Sequence, residues 1–255
     1  MKIDLNADLG EGFGSYTMGD DAALIPILSS ANLACGFHAG DPLIMRNTVR
    51  STKVSGVDLG AHVGFDDVQG FGRNKIALPL EVLESLVIYQ LGALAGFART
   101  EGHKLTHMSF HGALGNQVAS DHELADALLK IVAKFDSELI ISSSSSVAME
   151  RAAQRHNLRI ETTFLADRAY EASGLLVPRS KPNSVIKDEK QVLQRIDQLL
   201  NDGTVTCYDG EIVVMPARSI LVHGDTDGAV NLAGKIRHYI EENGGVITPL
   251  SKLGI

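Results

Sequence analysis

Short apolar runs alternate with helix-length segments along the whole chain, and that rhythm leaves few folds open. Strand-like runs cover residues 3–9, 31–37, 57–63, 105–110, 138–142, 158–164 and 219–222, with a short last strand at 246–248. Helical segments fall between them: 20–29, a helix opening at Asp41-Pro42, 79–99, 121–135, a stretch reaching 156, 188–200 and 227–243. Asp41-Pro42 is a favoured opening, an acid at the N-cap with proline at the first helical position. A run at 212–215 reads as a hairpin arm or an extra strand. Strands that alternate with helices lie parallel, with the helices covering them. Seven or eight such units in 255 residues suit a closed parallel βα barrel, the α/β architecture expected here. The rival is an open doubly wound sheet. No linker, low-complexity block or internal repeat divides the chain, so residues 1–255 read as one barrel domain.

The formal net charge of -8 disfavours a phosphate backbone, so nucleic acid is not an expected partner. Cys35 and Cys207 are too few and too far apart for a disulfide framework or a zinc knuckle, and read as reduced thiols of a cytoplasmic protein. The opening Met1-Lys2-Ile3-Asp4-Leu5-Asn6 has no apolar core of a secretion signal. The longest apolar-rich segment, 78–97, carries Glu81, Glu84 and Gln90 and reads as a buried helix, so no membrane span is expected.

Nearly every reactive group follows a strand. Asn6 and Asp8 end the first, His38 follows the second, His62 ends the third and His111 follows the fourth. Asp167 and Arg168 follow the sixth, and His223 and Asp225 the seventh. In a parallel barrel all these ends open on one rim, where such folds place their sites. A single histidine at a strand end is more often a satisfied structural residue; a set of them at equivalent positions points to convergence. Asp8 is equally acceptable as a turn residue, and Asp225 as a helix cap. Glu11 lies between Gly10 and Gly12, which lets the backbone bend toward a ligand or simply turn. Arg179, in a long loop, reads as a salt bridge or an anion clamp. The Gly10-x-Gly12-x-Gly14 spacing is not a dinucleotide fingerprint, and there is no P-loop. His103, His107, His122, His156 and His238 receive no role. The residues alone support a hydrolytic site of Asp, Glu and His groups. They leave open whether it works by acid–base catalysis or through a metal on Asp8, His38 and His62.

Longer motifs go further. Residues 1–12 (MKIDLNADLGEG) and 29–41 (SSANLACGFHAGD) resemble the family of 5-oxoprolinase A-subunits, also called LamB/YcsF. So do Gly60-Ala61-His62, Gly70-Phe71-Gly72-Arg73, His111-Gly112-Ala113-Leu114, Ala166-Asp167-Arg168-Ala169-Tyr170, Leu176-Val177-Pro178-Arg179 and Val222-His223-Gly224-Asp225, in family order. The resemblance implies a barrel similar to glycoside hydrolase and deacetylase barrels. It implies ATP-dependent opening of 5-oxo-L-proline to L-glutamate, with Mg²⁺ and partner subunits B and C. Asp8, Glu11, His38, His62 and His111 would be catalytic. Asn6, Asp167, Arg168, Arg179, His223 and Asp225 would bind substrate. Phosphorylating the lactam oxygen would create a leaving group, with Asp8 or Glu11 as base on water and the histidines as acids or charge stabilisers.

The chain departs from the family pattern His-Val-Lys-Pro-His-Gly-Ala-Leu-Tyr-Asn on the fourth strand, where Ser109, Phe110 and Gly115 replace lysine, proline and tyrosine. Val63 stands for a proline, and Thr162 or Thr163 for an acid. A lost lysine removes a cation for phosphate or carboxylate. The alternatives are therefore a metal-dependent deacetylase or amidohydrolase, and a non-catalytic binding subunit.

Overall fold

The computed structural model describes residues 1–226 and 228–254. Its strands are β1 (Lys2–Leu9), β2 (Ser30–Ala34), β3 (Asp58–Val63), β4 (Leu105–Phe110), β5 (Ile140–Ser143), β6 (Ile160–Leu165), β7 (Thr204–Thr206), β8 (Ile212–Val214), β9 (Ser219–Val222) and β10 (Val246–Ile247). Its α-helices are α1 (Asp21–Leu24), α2 (Pro42–Ser55), α3 (Leu80–Glu101), α4 (Gly112–Ser120), α5 (His122–Phe135), α6 (Val147–Arg155), α7 (Glu189–Asp202) and α8 (Ala229–Glu242). Strands β1 to β6 pair in order, all parallel, and β9 pairs with both β6 and β1. The sheet therefore closes as a seven-stranded barrel, and the open-sheet rival is excluded. β10 adds to the start of β1, and β7 with β8 forms a separate antiparallel hairpin arm.

The period-two pattern of β1 explains the core. Ile3, Leu5, Ala7 and Leu9 are wholly buried and belong to the apolar cluster, whereas Asp4, Asn6 and Asp8 alternate with them. The alternating set forms a polar barrel interior. At its floor Asp4 accepts hydrogen bonds from Ser29, Ser30, Ser219 and Asn6. One layer up, the Asn32 amide donates to Asn6 Oδ1 and its own carbonyl oxygen faces His107 Nε2 at 3.1 Å. Ser142 and Thr163 share a bond of 2.8 Å, and Thr163 donates to Ser219. Buried polar groups are tolerated when each is paired. Gly60 lacks a side chain because a Cβ there would overlap the His107 imidazole.

Several expectations shift. β2 ends at Ala34 instead of running to residue 37, because Gly36 adopts φ +90° and turns the chain. The first helix is one α-helical turn followed by a 3₁₀ turn, Ile25–Ile27, where Pro26 breaks the pattern. The expected start of the last helix, Asp227, lies outside the described residues; α8 is seen from Ala229. α4 has no counterpart among the expected helices. α3 is long and apolar enough to cross a membrane by length and composition. Here it is a barrel helix: Leu83, Leu86, Val87, Leu91 and Leu94 face inward, and buried Gln90 bonds both the N–H and the carbonyl of Gly64.

Candidate active site

The strand ends converge as expected, around a cavity of about 540 Å³. Asp8 and His62 line it from β1 and β3, and Ser109 from β4. His111 follows β4 and His223 follows β9. The cationic residues Arg73, Lys75, Arg168 and Arg179 also line the wall.

The histidines form a compact cluster. His38 and His111 stack in parallel, ring centres 3.8 Å apart, and His62 meets both edge-on. His111 Nδ1 lies 2.9 Å from His62 Nε2, and His111 Nε2 lies 2.8 Å from the Phe71 carbonyl. Phe71 holds φ +53°, a conformation uncommon outside glycine, and Gly72 holds φ +59°. A Cβ on Gly72 would run into both His38 and His111, so this turn is built around the cluster. His38 Nε2 lies 3.2 Å from Glu11 Oε1, and its Nδ1 is buried without a partner. On the cavity side, His62 Nε2 is 3.5 Å from Asp8 Oδ1, and His62 Nδ1 is 2.6 Å from Ser109 Oγ.

Burial sets the charge states. It pushes the Asp8 carboxyl up to about 6, against the pull of His223 and the Asn32 hydrogen bond. Burial, then the charges of Asp8 and Asp225, hold Glu11 well above the usual carboxylate range. Burial drives His62 down to about 3, and drives His38 and His111 well below their ordinary value, each aided by a neighbouring histidine. His223 goes the other way. Burial lowers it, but the Asp167 carboxylate at 2.7 Å from Nδ1 outweighs that and raises it overall. The site thus joins neutral imidazoles, one protonatable imidazole and a carboxylate poised near neutrality.

Not every expected residue reaches the cavity. Asn6 lies a layer below, its amide given to Asp4, Ser219 and the Ile220 carbonyl. Arg168 borders the cavity, but its guanidinium donates to the backbone carbonyls of Ser184 and Val177 and ties down the long loop. Asp225 is paired with Arg73 at 2.7 Å, and Glu11 and His38 sit behind His111. Asp167 reaches the site through His223, and Arg179 Nη2 approaches the other nitrogen of that ring at 3.3 Å.

Beside the suggested set of Asp8, His38 and His62, in which Asp8 Oδ1 lies 3.5 Å from His62 Nε2, stands a second one. Glu11, His38, His62 and His111 offer ligand atoms within 4.8 Å of one another. An ion there would have to replace the His62–His111 hydrogen bond. Sequence reasoning misses Arg73 and Lys75, although Arg73 stands in one of the family-like motifs. It also passes over His107, whose place on an inward position of β4 is its one signal.

Known proteins match this chain along nearly its whole length. The LamB/YcsF family model matches residues 3–254. A protein of Pseudomonas syringae pv. tomato, named as a 5-oxoprolinase A-subunit, is 64% identical over 253 residues, covering 99% of each chain. A protein of Ralstonia nicotianae with the same kind of name is 57% identical, covering 99% of this chain and 97% of its own. The crystal structure of a lactam utilization protein from Thermus thermophilus superposes with a TM-score of 0.91 at 38% identity, covering 98% of this chain and all of its own. With matches of that length on both sequence and fold, the chain belongs to the LamB/YcsF family.

Proposed function

We propose that this chain is the A-subunit of a 5-oxoprolinase, opening the lactam 5-oxo-L-proline to L-glutamate in the cytoplasm, coupled to ATP hydrolysis and acting with B and C subunits. The observation that carries the reading is the 64% identity, end to end, with a protein named as a 5-oxoprolinase A-subunit. The geometry supports it. A cavity of about 540 Å³ has room for more than a small lactam. Arg73, Lys75 and Arg179 suit a carboxylate and phosphate groups, and the N-terminus of α4 lines the same wall at Gly112 and Ala113. ATP with Mg²⁺, when bound, would supply a good leaving group at the lactam oxygen.

The chain's own residues supply the proton chemistry. Asp8, ionised above about pH 6, takes a proton from water. His223, whose hold on a proton the Asp167 carboxylate strengthens, faces the same cavity and donates to the departing nitrogen. Arg179 holds the substrate carboxylate. Mixing the purified chain with candidate B and C subunits, Mg²⁺-ATP and 5-oxoproline is expected to release glutamate and ADP together. ADP without glutamate would refute the lactam as substrate.

A second reading has its own support in the four-donor set around Glu11: a divalent-metal hydrolase. Stoichiometric metal in chelator-free protein, with glutamate release that needs no ATP, would favour it.

A further inference from the structure

The cavity is larger than the reacting ring needs. A volume of about 540 Å³ suits a drug-sized ligand, whereas 5-oxoproline is one small ring with one carboxylate. Its two ends differ in character. Asp8, His223 and Arg179 put charge at the inner end. The outer end follows α4, whose residues Asn116, Gln117 and Ser120 line the cavity from one face of the helix. The rise from Gly112 to Ser120 carries that wall about 12 Å. Opposite stand Ser143 and Ser144, where β5 ends, with Met149 and Leu176. These walls are tied together. Ser146 Oγ donates to the Ala119 carbonyl at 2.6 Å, and a Cβ on Gly174 would lie 3.0 Å from Ser145 Oγ. So α4, the β5–α6 loop and the loop before Leu176 enclose one lobe, and these lobe residues carry no charge. One group there lacks a partner. Gln117 Oε1 is buried and accepts no hydrogen bond, a condition shared among the described residues only by His38 Nδ1 and Arg195 Nε. A buried unpaired carbonyl oxygen is costly, and it calls for an N–H or O–H donor. A carboxamide offers a carbonyl and an N–H side by side, so its full complement is a second amide.

We propose that the outer lobe binds an uncharged amide joined to the lactam, so that the chain opens 5-oxoprolyl amides, the form of a blocked peptide N-terminus, more readily than free 5-oxoproline. Lactam opening is the reading on which this inference rests. Segment 176–180 supplies the path between the two ends. Arg179 meets the exocyclic carbonyl in the place of the carboxylate, and the amide continues past Pro178 toward Leu176 and Gln117. Gln117 Oε1 accepts the amide N–H, and Met149 and Leu176 cover the apolar carbons. A second carboxylate would find no counter-charge in this lobe, so an uncharged extension is the one favoured. The bonds that change are those of the free-lactam reaction. The oxygen of water joins the ring carbonyl carbon, the ring C–N bond breaks, its electron pair stays on nitrogen, and nitrogen takes a proton from His223. One ATP becomes ADP and phosphate, as there. The product is a glutamyl amide with a free amino group and a free γ-carboxylate.

The test compares L-5-oxoprolyl-glycinamide with free 5-oxoproline as substrates of the chain assembled with candidate B and C subunits and Mg²⁺-ATP. Ring opening is read by mass spectrometry as the gain of one water, with ADP release followed alongside. The expected kcat/KM for the amide is about tenfold above that for the free lactam, the contribution of one or two hydrogen bonds. Gln117→Leu is expected to remove most of that advantage, through KM more than kcat. Ser144→Leu narrows the lobe from the facing wall and is expected to do the same, which covers the case of a Gln117→Leu chain that does not fold. An amide that is refused, or is opened no faster than free 5-oxoproline, overturns the proposal and leaves the lactam reading standing. So does an advantage that survives both substitutions. Opening of the amide alone supports the lobe and removes free 5-oxoproline as the substrate. If neither compound is opened, the lactam reading fails and this inference falls with it.

Discussion

Asp8 shows how one residue can be visible in sequence while its chemistry is not. Its place at a strand end marks it as a rim group, but a free carboxyl at pH 7 is an indifferent base. The barrel buries it and lifts its titration to about 6, closer to the working range of a general base. Asp8→Asn is expected to lower kcat/KM for glutamate formation by about 10²–10⁴-fold. It should also remove the acid limb of the pH profile, because the base form of Asp8 fills as pH rises through about 6. A variant that retained that limb would transfer it to another group. Other residues of the site are only half legible. His38, His62, His111 and Glu11 stand out by position, whereas Arg73 and Lys75 come from a loop whose path no local pattern predicts. His107 looks like one more polar histidine until β4 turns it into the barrel.

Among the elements, strands and long helices are readable because hydrophobic period and caps are local. Asp41 caps α2 through the N–H groups of Leu43 and Ile44, as the Asp-Pro opening implies. α4 is not readable, since Gly112 and Gly115 in its first turn weigh against a helix and its N-cap, His111, makes no side-chain cap. Packing forms it. α3 illustrates an element acting at a distance: Gln90 staples the Gly64 backbone by two hydrogen bonds, and Gly64 abuts the His38 ring. Gln90→Leu keeps the volume but orphans a buried N–H and a carbonyl. It is expected to cost about 1–3 kcal/mol for each unsatisfied group in urea denaturation. Activity should fall along with stability as the wall behind His38 loosens. Unchanged stability would mean that water replaces the staple.

For the whole molecule, a polar barrel interior makes stability depend on pH in a particular way. Burial lowers His38, His62, His107 and His111 below 6.5, so between that value and their folded values only the unfolded chain is protonated there. That favours unfolding as pH falls. Burial raises Asp4 and Asp8 to about 6 and Glu11 well above its ordinary value, so in the same range the folded chain keeps protons that the unfolded chain has released. That favours folding as pH falls, and largely offsets the histidines. Once the unfolded carboxyls also protonate, below about pH 4, the histidine contribution stands alone at about 1.4 kcal/mol per pH unit for each unmatched proton. Urea denaturation between pH 7 and 3 is therefore expected to show a shallow decline followed by a steep one. A uniform slope would contradict the burial of these groups.

Neighbouring residues are enough to specify the parallel βα order, the strand ends that carry reactive groups, and the family motifs, because period, caps and motif spacing are all local. They do not specify that seven strands close the barrel or that its interior is polar. Nor do they bring His111, His62 and Ser109 into hydrogen-bonding contact, or tie Arg168 to backbone carbonyls. Those outcomes depend on which side chains meet across strands far apart in the chain, and on how little water remains among them. Neither quantity exists until the barrel closes.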